Sequence, residues 1–142
     1  MIFSSTEEQQ IISAIREAER HSTGEIRLFV EAICPSDAPL ERAASLFAHH
    51  GMTETAQRNG VLLYLAWQSR QFAIWGDTGI HERAGQQFWE EEKQILRQFM
   101  QQDRACEGVC AVIAKIGAAL DRFFPAGQER NINELPDDIL YG

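Results

Sequence analysis

An α/β fold, a three-layer α/β/α sandwich with a small mixed sheet flanked by helices, is predicted by three observations. Residues 61–67 read Val-Leu-Leu-Tyr-Leu-Ala-Trp, an apolar run without alternation, as a strand covered on both faces requires. Phe72, Ala73, Ile74 and Trp75 follow after Gln68-Ser69-Arg70-Gln71, a link short enough only for an antiparallel hairpin. Segments of helical periodicity stand before, between and after these strands, the order expected of helices packed on a mixed sheet.

Ser5-Thr6-Glu7-Glu8 reads as a capping box, and Ile11, Ala14, Ile15 and Ala18 then recur at helical spacing up to Gly24. Residues 25–33 alternate, with Ile26, Leu28 and Val30 on one face and Arg27, Phe29 and Glu31 on the other, which predicts a strand. Cys34-Pro35-Ser36-Asp37 breaks it. Asp37 is the expected cap of a helix carrying Leu40, Ala43, Ala44 and Phe47, with His49 and His50 in its last turn and Gly51 as its stop. From Ile80 onward one helix is expected to use Phe88, Trp89, Ile95, Leu96, Phe99 and Met100. The next uses Val109, Ile113, Ile116, Leu120 and Phe124 and ends before Pro125. The tail, 131–142, carries Leu135, Ile139, Leu140 and Tyr141 and is expected to dock on the core. The 142 residues read as a single domain, 1–142, without repeats or linkers.

Connectivity brings three motifs together. The strands at 25–33 and 61–67 are joined through a helix, so they should be parallel neighbours with a right-handed crossover. Glu25 then lies near Asn59, and the antiparallel third strand returns Asp77 to the same edge. Thr23-Gly24-Glu25-Ile26, Arg58-Asn59-Gly60-Val61 and Gly76-Asp77-Thr78-Gly79-Ile80 thus form one glycine-lined corner. Glu25, Asp77, the Asn59 amide and the Thr78 hydroxyl offer oxygens of the kind hard cations take, so they are the candidate metal ligands. The glycines at 24, 60, 76 and 79 are expected to supply backbone shapes closed to other residues. The plainer use of the same residues is that Glu25 and Asp77 cap strands or pair with Arg58 and the glycines make turns.

Composition narrows the function classes. The net charge of −8 argues against nucleic-acid binding and against docking on anionic membranes, and suits divalent cations better than polyanions. The start of the chain shows no basic segment leading into an apolar one, and 61–67 is too short to span a bilayer, so a cytoplasmic protein is expected. Cys34, Cys106 and Cys110 give an odd count without metal spacing. Cys106 and Cys110 lie one helical turn apart and read more readily as core residues than as a redox pair. His49 and His50 are adjacent and cannot chelate together, and His81 is the histidine closest to the corner. Asp77-Thr78-Gly79 spells the aspartic-protease triplet, but two long helices follow it, unlike the all-β setting which that chemistry needs. No phosphatase nucleophile motif is present.

The three corner motifs together with Asn133-Glu134-Leu135-Pro136, in this order from about residue 3 to residue 141, resemble the TPM domain family, in its short soluble bacterial branch. The resemblance implies an α/β/α sandwich and a cation, usually calcium and with magnesium as the other ion to test, in an acidic cleft beside the strands. It also implies, from plant lumenal members, an acid phosphatase activity that many bacterial members have not been assigned. One departure matters: many members carry Asp just before the Asn-Gly that opens the second strand, and here that residue is Arg58. Its fork removes a ligand and could instead grip a phosphate or carboxylate. The expectation is a calcium-type cation-binding interaction module with a membrane-associated protein as partner. The alternative is a weak metal-dependent phosphatase acting on phosphate monoesters.

Overall fold

The computed structural model describes residues 2–126 and 139–142. Helix α1 (Ser5–Glu19) is capped by Ser4, whose Oγ accepts the Glu7 N–H at 3.1 Å while the Glu7 carboxylate accepts the Ser4 N–H at 3.0 Å. The box expected on Ser5 and Glu8 thus forms one residue earlier. Ser4 has the extended backbone a cap needs, and Ser5 is already helical. Ser4→Ala should cost about 1 kcal/mol in urea unfolding and Ser5→Ala almost nothing. Equal losses in the two variants would return the cap to Ser5.

Strand β1 (Glu25–Glu31) runs parallel to β2 (Gly60–Ala66), which pairs antiparallel with β3 (Gln71–Gly76). A short fourth strand, β4 (Ile139–Tyr141), lies parallel on the other side of β1, so the order is β3-β2-β1-β4. The mixed sheet, the parallel first pair and the hairpin are as the sequence predicts, while β1 stops at Glu31 short of 33. The tail meets the sheet at 139–142. Its Leu135, with the Asn133-Glu134-Leu135-Pro136 motif, lies outside the described residues.

Helices cover both faces. One core gathers Ile26, Leu28, Val30, Val61, Leu63 and Leu65 from the sheet against α1, α3 (Thr78–Ala84), α4 (Gln86–Gln101) and α5 (Ala105–Phe123). The opposite core packs Phe29, Leu62, Tyr64 and Ala73 against Ala43, Leu46 and Phe47 of α2 (Pro39–His49) and Met52 of the 3-10 turn at Met52–Glu54. With β2 and β4 on its two sides and the Arg42 and His50 side chains reaching its second face, every residue of β1 is buried, including Arg27 and Glu31 of the alternation's polar side.

Two helix boundaries differ from expectation. The cap of α2 is Ala38 rather than Asp37, with no side-chain cap bond and Pro39 in the first turn, where proline's missing N–H costs nothing. The single helix expected from Ile80 is two, α3 and α4, divided at Gly85, whose φ of 84° and ψ of 161° suit only glycine. Helix α5 ends at Phe123, before Pro125, as predicted. Cys106 is buried and Cys110 half-buried on α5. Burial and then the neighbouring Cys110 push the Cys106 thiol up to about 12, in keeping with a packing role. Trp89 is buried, while Trp67 and Trp75 are half-buried. Among the described residues, no helix is long and apolar enough to cross a membrane.

Candidate functional site

Gly60 is the hub of the corner. It pairs in register with Glu25 across the parallel strands, its carbonyl accepts the Asp77 N–H at 3.0 Å, and Asn59 immediately precedes it. Glu25, Asn59, Asp77 and Thr78 therefore lie at one end of the sheet, as the connectivity argument requires. Glu25, Asn59 and Asp77 are buried, and Thr78 and His81 are exposed.

Local structure fixes each side chain. Asp77 follows β3 directly and caps α3, its Oδ1 accepting the Thr78 N–H at 2.7 Å. Arg58 adopts a left-handed backbone, φ 52°, which turns the chain from the 3-10 segment into β2. Its N–H bonds Thr55 O at 3.2 Å, and its carbonyl accepts the Gly79 N–H at 2.8 Å. The Asn59 amide nitrogen donates to Thr23 Oγ1 at 3.0 Å, and Thr23 in turn donates to Gln57 at 2.9 Å. The loop at 57–59, the start of α3 and the residues before β1 are thereby sewn together.

The glycines act through space more than through backbone freedom. Gly24, Gly60, Gly76 and Gly79 have no left-handed φ; among the described residues the glycines that do are Gly51 and Gly85. A Cβ at Gly79 would stand 2.1 Å from Gln57 O and 2.6 Å from Arg58 O, so α3 can approach the 57–58 backbone only without one.

Electrostatically the corner is already occupied. Arg58 grips Asp77 through two parallel bonds, Nε to Oδ2 at 2.6 Å and Nη2 to Oδ1 at 2.8 Å, the strongest geometry for such a pair. The hydrogen bonds to Asp77, and then its charge, hold the Arg58 guanidinium above its ordinary value. The Arg58 side chain is 48% exposed and that of Asp77 4%. The arginine is therefore the partner in contact with water and the acid the one held in the interior.

The donor chemistry partly suits a hard cation. Two carboxylates, an amide oxygen and a hydroxyl stand at one edge, and buried Asn59 Oδ1 has no protein hydrogen-bond partner among the described residues. A buried amide oxygen left so calls for an explanation, and a ligand is one. Against this, both Asp77 oxygens are taken. Among the described residues no group of three or more His, Cys, Asp and Glu is placed to hold an ion. As placed, with both Asp77 oxygens held by Arg58 and the Thr78 N–H, the described residues do not form a divalent-ion site.

A second polar cluster, not anticipated from the sequence, lies on the α2 face toward the other end of β1. Arg42 of α2 bonds Glu31 with Nε at 2.9 Å and Nη2 at 3.1 Å, and Tyr64 of β2 donates its hydroxyl to the same carboxylate. Burial pushes the Glu31 carboxyl up, but the bonds from Arg42 and Tyr64 and the Arg42 charge outweigh it and leave Glu31 below its ordinary range. Burial, and then the bond to Glu31, push the Tyr64 hydroxyl far above its usual value, so it remains a donor. The visible signal was Glu31 on a strand and Arg42 on the following helix, but it carried no indication that they meet.

Comparison with known proteins places the chain. It is similar over 99% of its length, and 95% of that chain, to the BA42 protein of the psychrophilic bacterium Bizionia argentinensis, whose NMR structure superposes with a TM-score of 0.90 at 34% identity. The N-terminal domain of cg2496 from Corynebacterium glutamicum shares the fold, with a TM-score of 0.67 at 17% identity over 83% of this chain and 74% of that one. No curated protein matches the sequence. The family model of the TPM domain matches residues 1–119, and the chain belongs to the TPM domain family.

Proposed function

We propose that this TPM domain is a divalent-cation-binding interaction module, with calcium as the expected ion and Arg58 as its internal competitor. The observation that carries the reading is the buried, unpartnered Oδ1 of Asn59 at a corner whose acid, Asp77, is held by a half-exposed arginine. The Arg58 fork balances the Asp77 charge. An arriving ion would replace the guanidinium, with Glu25, Asn59, Asp77 and Thr78 as its protein oxygens and water completing the shell. The side chain that leaves is the exposed one, so exchange does not require the core to open. Release would leave the half-exposed Arg58 guanidinium without its carboxylate only when the ion is bound. A partner could read that difference, and the expectation is a membrane-associated protein met from the cytoplasm.

The test is thermal. Millimolar calcium should raise the melting temperature, because a ligand that binds only the folded state stabilises it by about 2.7 kcal/mol at a hundredfold excess over Kd. Asp77→Asn and Glu25→Gln should each remove most of that shift, whatever they do to the baseline. Arg58→Gln should enlarge it by deleting the competitor, and Arg58→Asp should enlarge it further by adding a carboxylate. Sodium chloride at matched ionic strength is the control for general screening. Equal shifts with salt and calcium, or an Arg58→Gln variant no more responsive than wild type, would sink the reading. Hydrolysis of p-nitrophenyl phosphate that depends on calcium or magnesium and disappears in Asp77→Asn would replace it with the phosphatase.

A further inference from the structure

We propose that the outer edge of β3 binds an extended segment of a partner polypeptide, which adds to the sheet as a fifth strand. Strand β3 ends the order β3-β2-β1-β4, and no described strand pairs with its outer side. The bond from Asp77 N–H to Gly60 O, with the register Val61↔Gly76, makes 77↔60, 75↔62 and 73↔64 the hydrogen-bonded pairs. Phe72, Ile74 and Gly76 therefore turn their backbone N–H and C=O groups away from β2. All three line a cavity of about 390 Å³. Such an edge is a ready template for another chain, and natural proteins usually blunt it with charge, bulges or a covering element. Here, among the described residues, it borders a slot with no strand paired on it. One wall is Pro39 and Leu40 at the start of α2, the other Trp89, Glu90 and Lys93 of α4.

Strand addition divides its work between main-chain hydrogen bonds and pockets for alternate side chains, and this slot offers both. Leu40, 51% exposed, is an apolar contact for one face of an added strand. Trp89, packed on Gly76, provides the floor of the other face. The walls stand on both faces of the edge, so the slot suits one extended chain better than the helix-covered edge of a second copy. Charge points the same way. Each copy carries −8, which opposes self-association and draws a basic segment instead. The occupant we infer is an extended peptide of alternating apolar and basic residues. The inference rests on the strand edge and not on ion binding; because Asp77 and Thr78 of the corner also line this cavity, the peptide is titrated without added calcium.

The probe is the blocked peptide acetyl-Lys-Val-Lys-Val-Lys-Val-Lys-amide, titrated into the 15N-labelled full chain. The amides of Phe72, Ile74 and Gly76 should shift and exchange more slowly with solvent, while the inward amides of Ala73 and Trp75 change less. The same peptide N-methylated at alternate residues keeps its charge and side chains but loses main-chain donors, and should bind at least about tenfold more weakly. Leu40→Ser, which removes the apolar contact without adding charge, should weaken binding with little change in melting temperature, since Leu40 is half-exposed in the free protein. Absence of shifts at the three outward amides up to about 1 mM peptide, the limit of useful affinity, overturns the proposal. Equal binding of the N-methylated peptide overturns it too, by reducing the effect to charge attraction. A concentration-dependent dimer that protects these amides without peptide would give the edge to a second copy and end the proposal.

Discussion

Gly79→Ala is expected to lower stability by about 3 kcal/mol and to disturb the Asp77 corner. Overpacking of about 1–3 kcal/mol combines here with a weakened hydrogen bond of about 1 kcal/mol. The added methyl would point at two main-chain carbonyls, Gln57 O at 2.1 Å and Arg58 O at 2.6 Å, and a backbone cannot rotate away as a side chain can. Relief requires α3 to move off the 57–58 segment. That movement lengthens the Gly79 N–H bond to Arg58 O, now 2.8 Å, and shifts the Asp77 cap relative to the Arg58 fork. For a domain of this size the loss corresponds to a fall in melting temperature of about 10 °C. The calcium response predicted for the wild type should shrink with it. A variant melting within about 1 °C of wild type would show that the 57–58 loop yields freely.

Arg42→Met is expected to cost about 3 kcal/mol at neutral pH, because it strands the Glu31 carboxylate beneath α2. The side chain of Glu31 is 10% exposed and that of Arg42 28%, so the acid is the partner that cannot regain water. The pH dependence separates this from lost packing. In the wild type the Glu31 carboxyl lies below its ordinary 4.5, so its contribution is complete above that value and is lost as pH falls through the folded value. Without Arg42, burial is opposed only by Tyr64, and the carboxyl rises. The variant then recovers stability on acidification as Glu31 takes up a proton. The gap between the two proteins should be widest near neutrality and close toward pH 4.5 and below, as followed by urea unfolding across that range. A gap that stays constant would assign the loss to the Arg42 stem packing on its neighbours.

What the sequence determined by itself was whatever depends on local period and on connectivity. The unalternating run at 61–67 implied a strand covered on both sides, and β2 is buried at every residue. The short link after it implied the hairpin, and the helical crossover before it implied the parallel neighbour. Those two relations alone bring Glu25, Asn59 and Asp77 to one end of the sheet.

Tertiary structure decided what those residues do there. Arg58 and Asp77 are 19 positions apart, and their meeting depends on the left-handed backbone at 58 and on the cap that orients the Asp77 carboxylate. Neither is a periodic property. The Glu31, Arg42 and Tyr64 cluster likewise joins two strands and a helix, and the polar side of β1 became interior through β2, β4 and the Arg42 and His50 side chains that meet it. The break at Gly85 turned on a single backbone conformation within an otherwise continuous helical pattern. Period and connectivity report which way a segment faces and which segments adjoin. Pairing of charges and the choice of caps require atoms within about 3 Å of each other, and that is settled only when elements pack.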